Sequence, residues 1–275
     1  NTAIALGRLG HATGFFSGLS TDMFGRQLDA ALTEAGVDTH LCVRTDRPTT
    51  LAFVELNDGQ AKYTFYDENT AGRMLTTEML PDLDDQVQAL HFGAISLIPE
   101  PCGGAYEALL AREADRRVIS LDPNIRANFI ADEEAHRQRM RRIIARSDII
   151  KVSDEDLEWL EPGRASQDVV REWISQGAAI VIETRGAEGA TATMASGSTV
   201  EVAANAVDVV DTVGAGDSFD AGFLAGLQEA GCLDKIALRS ADTDAVQSAL
   251  AFAAQVAAIT VSRAGANPPW KHELN

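Results

Sequence analysis

Asp211-Thr212-Val213-Gly214-Ala215-Gly216-Asp217-Ser218-Phe219-Asp220-Ala221-Gly222-Phe223 is the stretch on which the reading of this chain turns. It follows a strand-like run at 207–210 and opens a helix whose Phe219, Gly222, Phe223, Gly226 and Leu227 share one face. Gly222 and Gly226 leave room there for a close neighbour. A Gly-Ala-Gly turn at a helix N-terminus bares backbone N–H groups, and the macrodipole adds about half a positive charge. Together they form an anion site. A carboxylate on that turn repels a phosphate unless it serves the reaction. Asp217 then takes the proton of a hydroxyl that attacks phosphorus, while the turn Gly214, Ala215 and Gly216 stabilises charge on the transferring group. Two other readings fit the spacing. One is an ordinary tight turn with Asp217 as a helix cap. The other is a shortened dinucleotide fingerprint whose third glycine position holds Phe219. No G-x-x-x-x-G-K-[ST] run occurs.

Outward from this turn, the pattern from about residue 89 alternates strand and helix. Strands are predicted at 90–97, 118–121, 149–152, 180–184 and 207–210, with helices at 105–114, 133–145 and 242–262. Such alternation implies a mostly parallel, doubly wound sheet, with chemistry at the strands' carboxyl ends. Residues 40–66 differ: short runs at 41–43, 51–56 and 63–66, with Asp58-Gly59 as a hairpin signal, predict a small antiparallel sheet. A helix through Leu28, Leu32 and Ala35 ends at Gly36. The chain opens at Asn1 inside a helical pattern, Ile4, Ala5, Leu6 and Leu9, closed by Gly10, so a strand preceding Asn1 is expected.

Hydrophobic residues make up 45% of the 275, enough for a sizeable core. Acidic residues outnumber basic ones 41 to 23, a formal charge of −18, which disfavours nucleic acid and anionic membranes as partners. Three dispersed cysteines suggest neither a disulfide framework nor a zinc site and suit a cytoplasmic setting. No unbroken apolar run reaches the ~18 residues of a membrane span.

The stretch Asp211–Leu224 resembles the C-terminal signature of the ribokinase-like (PfkB-type) carbohydrate kinases. Other segments match the family in order. Asn1-x-Ala3 resembles the end of its N-terminal signature. Ser17 to Gly25, with Asp22, resembles its G-x-x-G-x-D-x-x-G stretch. Asp122-Pro123-Asn124-Ile125-Arg126 resembles the D-x-N-x-R segment of fructokinases and 2-keto-3-deoxygluconate kinases. Thr184-Arg185-Gly186-Ala187-Glu188-Gly189 resembles the T-x-G-x-x-G loop that contacts ATP phosphates. The family's N-x-x-E motif falls on Ser153-Asp154-Glu155-Asp156, with serine and aspartate in place of asparagine and glutamate. The adenine-pocket asparagine falls near Ala254 or Gln255.

The resemblance implies a ribokinase-like α/β fold: a kinase domain from 1–39 and 68–275, with a β lid at 40–67 inserted in it. It implies an ATP-dependent phosphotransferase acting on a sugar hydroxyl, with ATP at Ser153, Thr184, Gly186, Gly189, Gly214 and Gly216. Mg²⁺ would bridge the phosphates, reached by Asp156 through water, and a monovalent cation, K⁺, would sit by Asp211 and Val213. The sugar would lie among Asn1, Tyr66, Asn69, Arg126 and Asp217, under a lid that doubles as a homodimer face. His91 reads as a structural histidine. The favoured sugar is a neutral ketohexose, fructose, because Asp67 and Glu68 follow Tyr66 where sugar-acid kinases carry an arginine. The alternatives are 2-keto-3-deoxygluconate, with Arg126 and Arg73 as its carboxylate clamp, a catalytically silent sugar or nucleotide sensor, and a nicotinamide-dependent oxidoreductase.

Overall fold

A computed structural model describes residues 1–57 and 60–274, with side chains outside 54–63. The Asp58-Gly59 hairpin signal lies outside the described residues. In chain order the elements are α1 (Thr2–Arg8), β1 (Thr13–Gly14), β2 (Gly18–Ser20), α2 (Met23–Glu34), β3 (Val37–Asp38), β4 (Val43–Thr45), β5 (Leu51–Asn57), β6 (Gln60–Tyr66), β7 (Ala89–Gly93), α3 (Cys102–Glu113), β8 (Val118–Asp122), α4 (Glu133–Ile144), β9 (Ile149–Ser153), α5 (Asp154–Leu160), α6 (Ser166–Gln176), β10 (Ile180–Thr184), β11 (Ala190–Met194), β12 (Thr199–Val202), α7 (Ala215–Glu229), α8 (Lys235–Arg239) and α9 (Thr243–Val261).

A six-stranded sheet in the order β12-β11-β10-β9-β8-β7 organises the molecule. Its four strands β7 to β10 are parallel, and β11 and β12 add antiparallel at one edge. Alternate side chains of the buried strands feed two cores. Ile119, Leu121, Ile150, Val152 and Val181 face one helical layer, with Leu109, Met140 and Trp173. Val118, Ile149, Ile180 and Ile182 face the other, with Phe219, Phe223 and Leu250. Each such side chain, fully buried, stabilises the fold by about 1.5–3 kcal/mol before entropy is counted.

The second layer places the anion turn. A Cβ on Gly222 would sit 2.7 Å from the Cα of Ala253, and one on Gly226 would sit 2.7 Å from that of Ala249, so α7 and α9 approach backbone to backbone. α9 is long and apolar enough, at mean hydropathy 1.4, to cross a membrane by length and composition alone. Its Ala249, Leu250, Ala253 and Val256 are buried against α7.

Three sequence expectations change. Residues 207–210 form no strand: Val209 and Val210 are exposed and the segment reaches past the sheet to the end of α9, where the Val210 N–H donates to the carbonyl of Val261 at 2.8 Å. Residues 94–97 leave β7 as a 3₁₀ turn. Of the runs at 40–66, only the second and third pair with each other, Leu51 opposite Tyr66. The first, shifted to β4, pairs in parallel with β2.

Candidate active site

The N-cap of α7 is Gly214, with a left-handed φ of 79°, and no side chain caps the helix. Asp217 is therefore the third helical residue, not a cap. The N–H of Ser218 donates to Gly214 O at 2.9 Å, which leaves the amides of Gly216 and Asp217 at an uncapped helix start. A side chain at Gly214 would strike Ala266, with Cβ atoms 2.7 Å apart. Asp211 ties this turn to the loop beyond α9. Its Oδ1 accepts from the Val213 N–H at 3.0 Å and its Oδ2 from the Gly265 N–H at 2.9 Å. Those amide donors hold Asp211 below the usual carboxylate range.

α1 packs Ala5 and Leu9 against Ala221 and Ala225 of α7. That contact carries Asn1 to Asp217, and the Asn1 Nδ2 donates to Asp217 Oδ2 at 2.7 Å.

The other expected residues lie along the carboxyl edge of the sheet and the loops beyond it. In the strand register Gly93 stands beside Asp122, and Ser153 beside Thr184. After β8 the chain turns through Asn124, whose φ of 41° is left-handed. Strain of this kind concentrates at functional sites. Arg126 is exposed, its Nη1 donating to the carbonyls of Asn124 and Ile125 at 3.3 and 3.0 Å. Phe129 packs edge-on to Phe65 of β6 at 4.4 Å, so the hairpin's Phe65 face looks toward this loop. Successive strand residues point to opposite faces. Tyr66 accordingly lies on the outer face, 61% exposed and edge-on to Phe53. Asn69, left-handed at φ 58°, is exposed just beyond. Asp67 is paired with Arg73 at 3.1 Å, so its charge is partly neutralised. A depression of about 720 Å³ runs along Thr49, Leu51, Phe53, Tyr66, Thr70 and Arg73.

Thr184 ends β10 with its Oγ1 3.5 Å from the Val152 carbonyl. The loop that follows is a tight turn, closed by the Arg185 N–H on Gly189 O at 2.9 Å. Gly186 and Gly189 are left-handed at φ 50° and 95°, and a Cβ at Gly189 would lie 2.0 Å from Val202 O. Ser153 and Asp156 both have structural partners. The Ser153 Oγ caps α5 by accepting from the Asp156 N–H at 3.0 Å, and the Asp156 Oδ1 accepts from the Ile125 N–H at 2.9 Å. Burial raises Asp156 above the usual carboxylate range; the Ser153 hydroxyl opposes this and Asp122 adds to it.

Sequence reasoning missed a buried charge cluster under the turn. Lys151 of β9 donates to Asp122 Oδ2 at 2.8 Å and lies 3.9 Å from Asp220 Oδ2 of α7. All three are over nine-tenths buried. Burial lowers the Lys151 pKa, but Asp122 and Asp220 outweigh it and hold the ammonium above the lysine range. Burial raises Asp220 well above the carboxylate range despite Lys151. Nearby, His91 Nδ1 lies 3.1 Å from Ser120 Oγ, and desolvation lowers it to about 4, so it is neutral. The signal was available: a lysine inside the apolar 149–152 run and an aspartate between Phe219 and Phe223 each require a buried partner.

Among the described residues, no group of three or more His, Cys, Asp or Glu is placed to hold a metal ion. The family model described as pfkB family carbohydrate kinase matches residues 1–273. A fructokinase of Rhizobium leguminosarum bv. trifolii is 54% identical over 248 residues, which is 90% of this chain and 76% of that protein. The fructokinase of Xylella fastidiosa with bound ATP superposes with TM-score 0.92 at 29% identity, over 99% of this chain and 87% of that one. The fructokinase of Vibrio cholerae O395, bound to fructose, ADP and calcium, does so with TM-score 0.83 at 25% identity, over 96% and 84%.

Proposed function

This chain belongs to the pfkB family of carbohydrate kinases, and from that premise we propose that it transfers the γ-phosphoryl group of ATP to a hydroxyl of fructose. The observation that carries the sugar is the 54% identity, over 90% of the chain, to a protein named fructokinase. The site supplies what the reaction needs. Asp217 receives the proton of the attacking hydroxyl and orients it, with Asn1 fixing the carboxylate. The uncapped amides at Gly216 and Asp217 meet the charge that builds on the transferring group. The left-handed turn from Gly186 to Gly189, and Thr184 beside Ser153, offer a backbone surface for the ATP phosphates.

The residues present fit a magnesium ion carried mainly by the nucleotide. Mg²⁺ commonly takes one or two carboxylates plus phosphates and waters, and Asp156, one of the carboxylates at this edge, would reach it through water. When bound, the ion neutralises phosphate charge. Asp211, kept ionised by its amide donors beside Val213, fits a monovalent cation such as K⁺.

Asn69 and Arg126 would complete the sugar pocket beneath a lid formed by 40–67. The outer face of that lid, with Phe53 58% and Tyr66 61% exposed, suits a homodimer contact, which would account for Tyr66 pointing outward. Three free cysteines suit a cytoplasmic enzyme. Arg73, already engaged by Asp67, is poorly placed to clamp a sugar carboxylate. Catalytic efficiency on fructose and on 2-keto-3-deoxygluconate at matched ATP tests the reading. Fructose should be the better substrate, and the reverse order overturns the sugar assignment.

A further inference from the structure

The first turn of α7 rests on a buried ion. A Cβ built on Gly216 would lie 2.9 Å from Lys151 Nζ and 3.9 Å from Asp122 Oδ2, so the ammonium stands directly beneath the residue preceding Asp217. Lys151 is anchored to β8 through Asp122 at 2.8 Å and faces Asp220, one helical turn beyond Asp217. Three elements, β8, β9 and α7, thus meet at one charge. Asp220 is also hydrogen-bonded to Asp122, so the two carboxyls and the ammonium close on one another. A buried ionic cluster is a poor device for stability alone, because apolar residues of similar volume commonly do better.

Resting on the kinase reading above, we propose that Lys151, clamped by Asp122, is a positioning residue for phosphoryl transfer. It fixes the height and direction of the Gly214–Asp217 turn over the sheet edge and adds positive potential under the amides that face the transferring group. It does not touch the substrates. Removing it lets the turn settle toward β9 and moves Asp217 relative to the attacking hydroxyl, an effect felt mainly in the chemical step. Misplacement by about 1 Å is enough to cost about 100-fold in rate.

The test uses the full chain and compares wild type, Lys151→Met, the charge-neutral pair Asp122→Asn with Lys151→Met, and Lys151→Arg. Wild-type turnover of fructose and ATP is established first, so that absence of any kinase activity counts against the function and not against this role. Lys151→Met should unfold at lower temperature, since it strands the Asp122 charge, and the neutral pair should recover part of that loss. Both should lose about tenfold or more in kcat, with KM for ATP and fructose moving less than about threefold. A folded neutral pair with wild-type kcat makes the cluster structural and overturns the proposal, as does a loss carried by KM. Lys151→Arg keeps the charge but enlarges the head beneath Gly216. It gives a kcat readout even if the methionine variants fail to fold, and wild-type kcat in it also overturns the proposal.

Discussion

The Asn1 side-chain amide donates to the Asp217 carboxylate across 2.7 Å, joining the first residue of the chain to the third residue of α7. The contact is built by the packing of α1 on α7 and leaves Asp217 partly exposed at an uncapped helix start. An amide donor fixes the direction of the carboxylate without protonating it, as a residue that must accept a proton requires.

Asp217→Asn keeps the shape of that contact and removes the proton acceptor. Turnover should fall by about 10²–10⁴-fold, with ATP binding and thermal unfolding near wild type. A coupled ADP-release assay measures it. Retention of more than about a third of wild-type kcat refutes the assignment.

Gly189→Ala tests the nucleotide loop. The φ of 95° and the Val202 carbonyl 2.0 Å from any Cβ forbid the side chain unless the loop moves off β12. KM for ATP should rise several-fold more than KM for fructose. Equal changes in both would separate this loop from ATP.

Gly226→Ala should destabilise the protein although alanine is the better helix former by about 1 kcal/mol. The added methyl meets the Cα and Cβ of Ala249 at 2.7 and 2.9 Å, and overpacking of this kind costs about 1–3 kcal/mol. Urea unfolding gives the sign, and a more stable variant would show that α7 and α9 yield easily.

His136 supplies a pH test away from the site. It is buried edge-on to Trp159, and desolvation, with Arg139 nearby, lowers it from 6.5 to about 4. Between those values the unfolded chain binds the proton and the folded one does not, so this group's contribution falls as pH drops through the window. His136→Gln removes that dependence. The stability of wild type relative to the variant should decline by up to about 1.4 kcal/mol per pH unit between about 6.5 and 4. Parallel stability curves would mean that His136 takes up its proton alike in the folded and unfolded chain, and would refute its buried, neutral state.

Local chemistry made much of this protein legible. The anion turn and Asp217 are a matter of consecutive residues: glycines, a helix start and a carboxylate. The bounds of α2, α4 and α9 follow from periodicity and caps, with Asp22, Asp132 and Asp242 each accepting from an N–H of the first turn. The parallel core strands announce themselves as short apolar runs.

Partners remote in sequence decided the rest. Residues 207–210 read as a strand, yet hydrogen bonds to Val261 take them past the sheet. The run near 41–43 has strand composition, and only the position of β2 fixes which neighbour it pairs with and in which direction. Tyr66 and Phe65 are adjacent in sequence, but which of them faces the 126–129 loop depends on how the hairpin sits on Phe129. Lys151 and Asp220 look misplaced in their own segments, and Asp122 stands in its motif with no partner nearby in sequence. They make sense only where β8, β9 and α7 converge, because a buried charge is tolerated by the partners that folding brings to it, and those partners are set by the packing of whole elements.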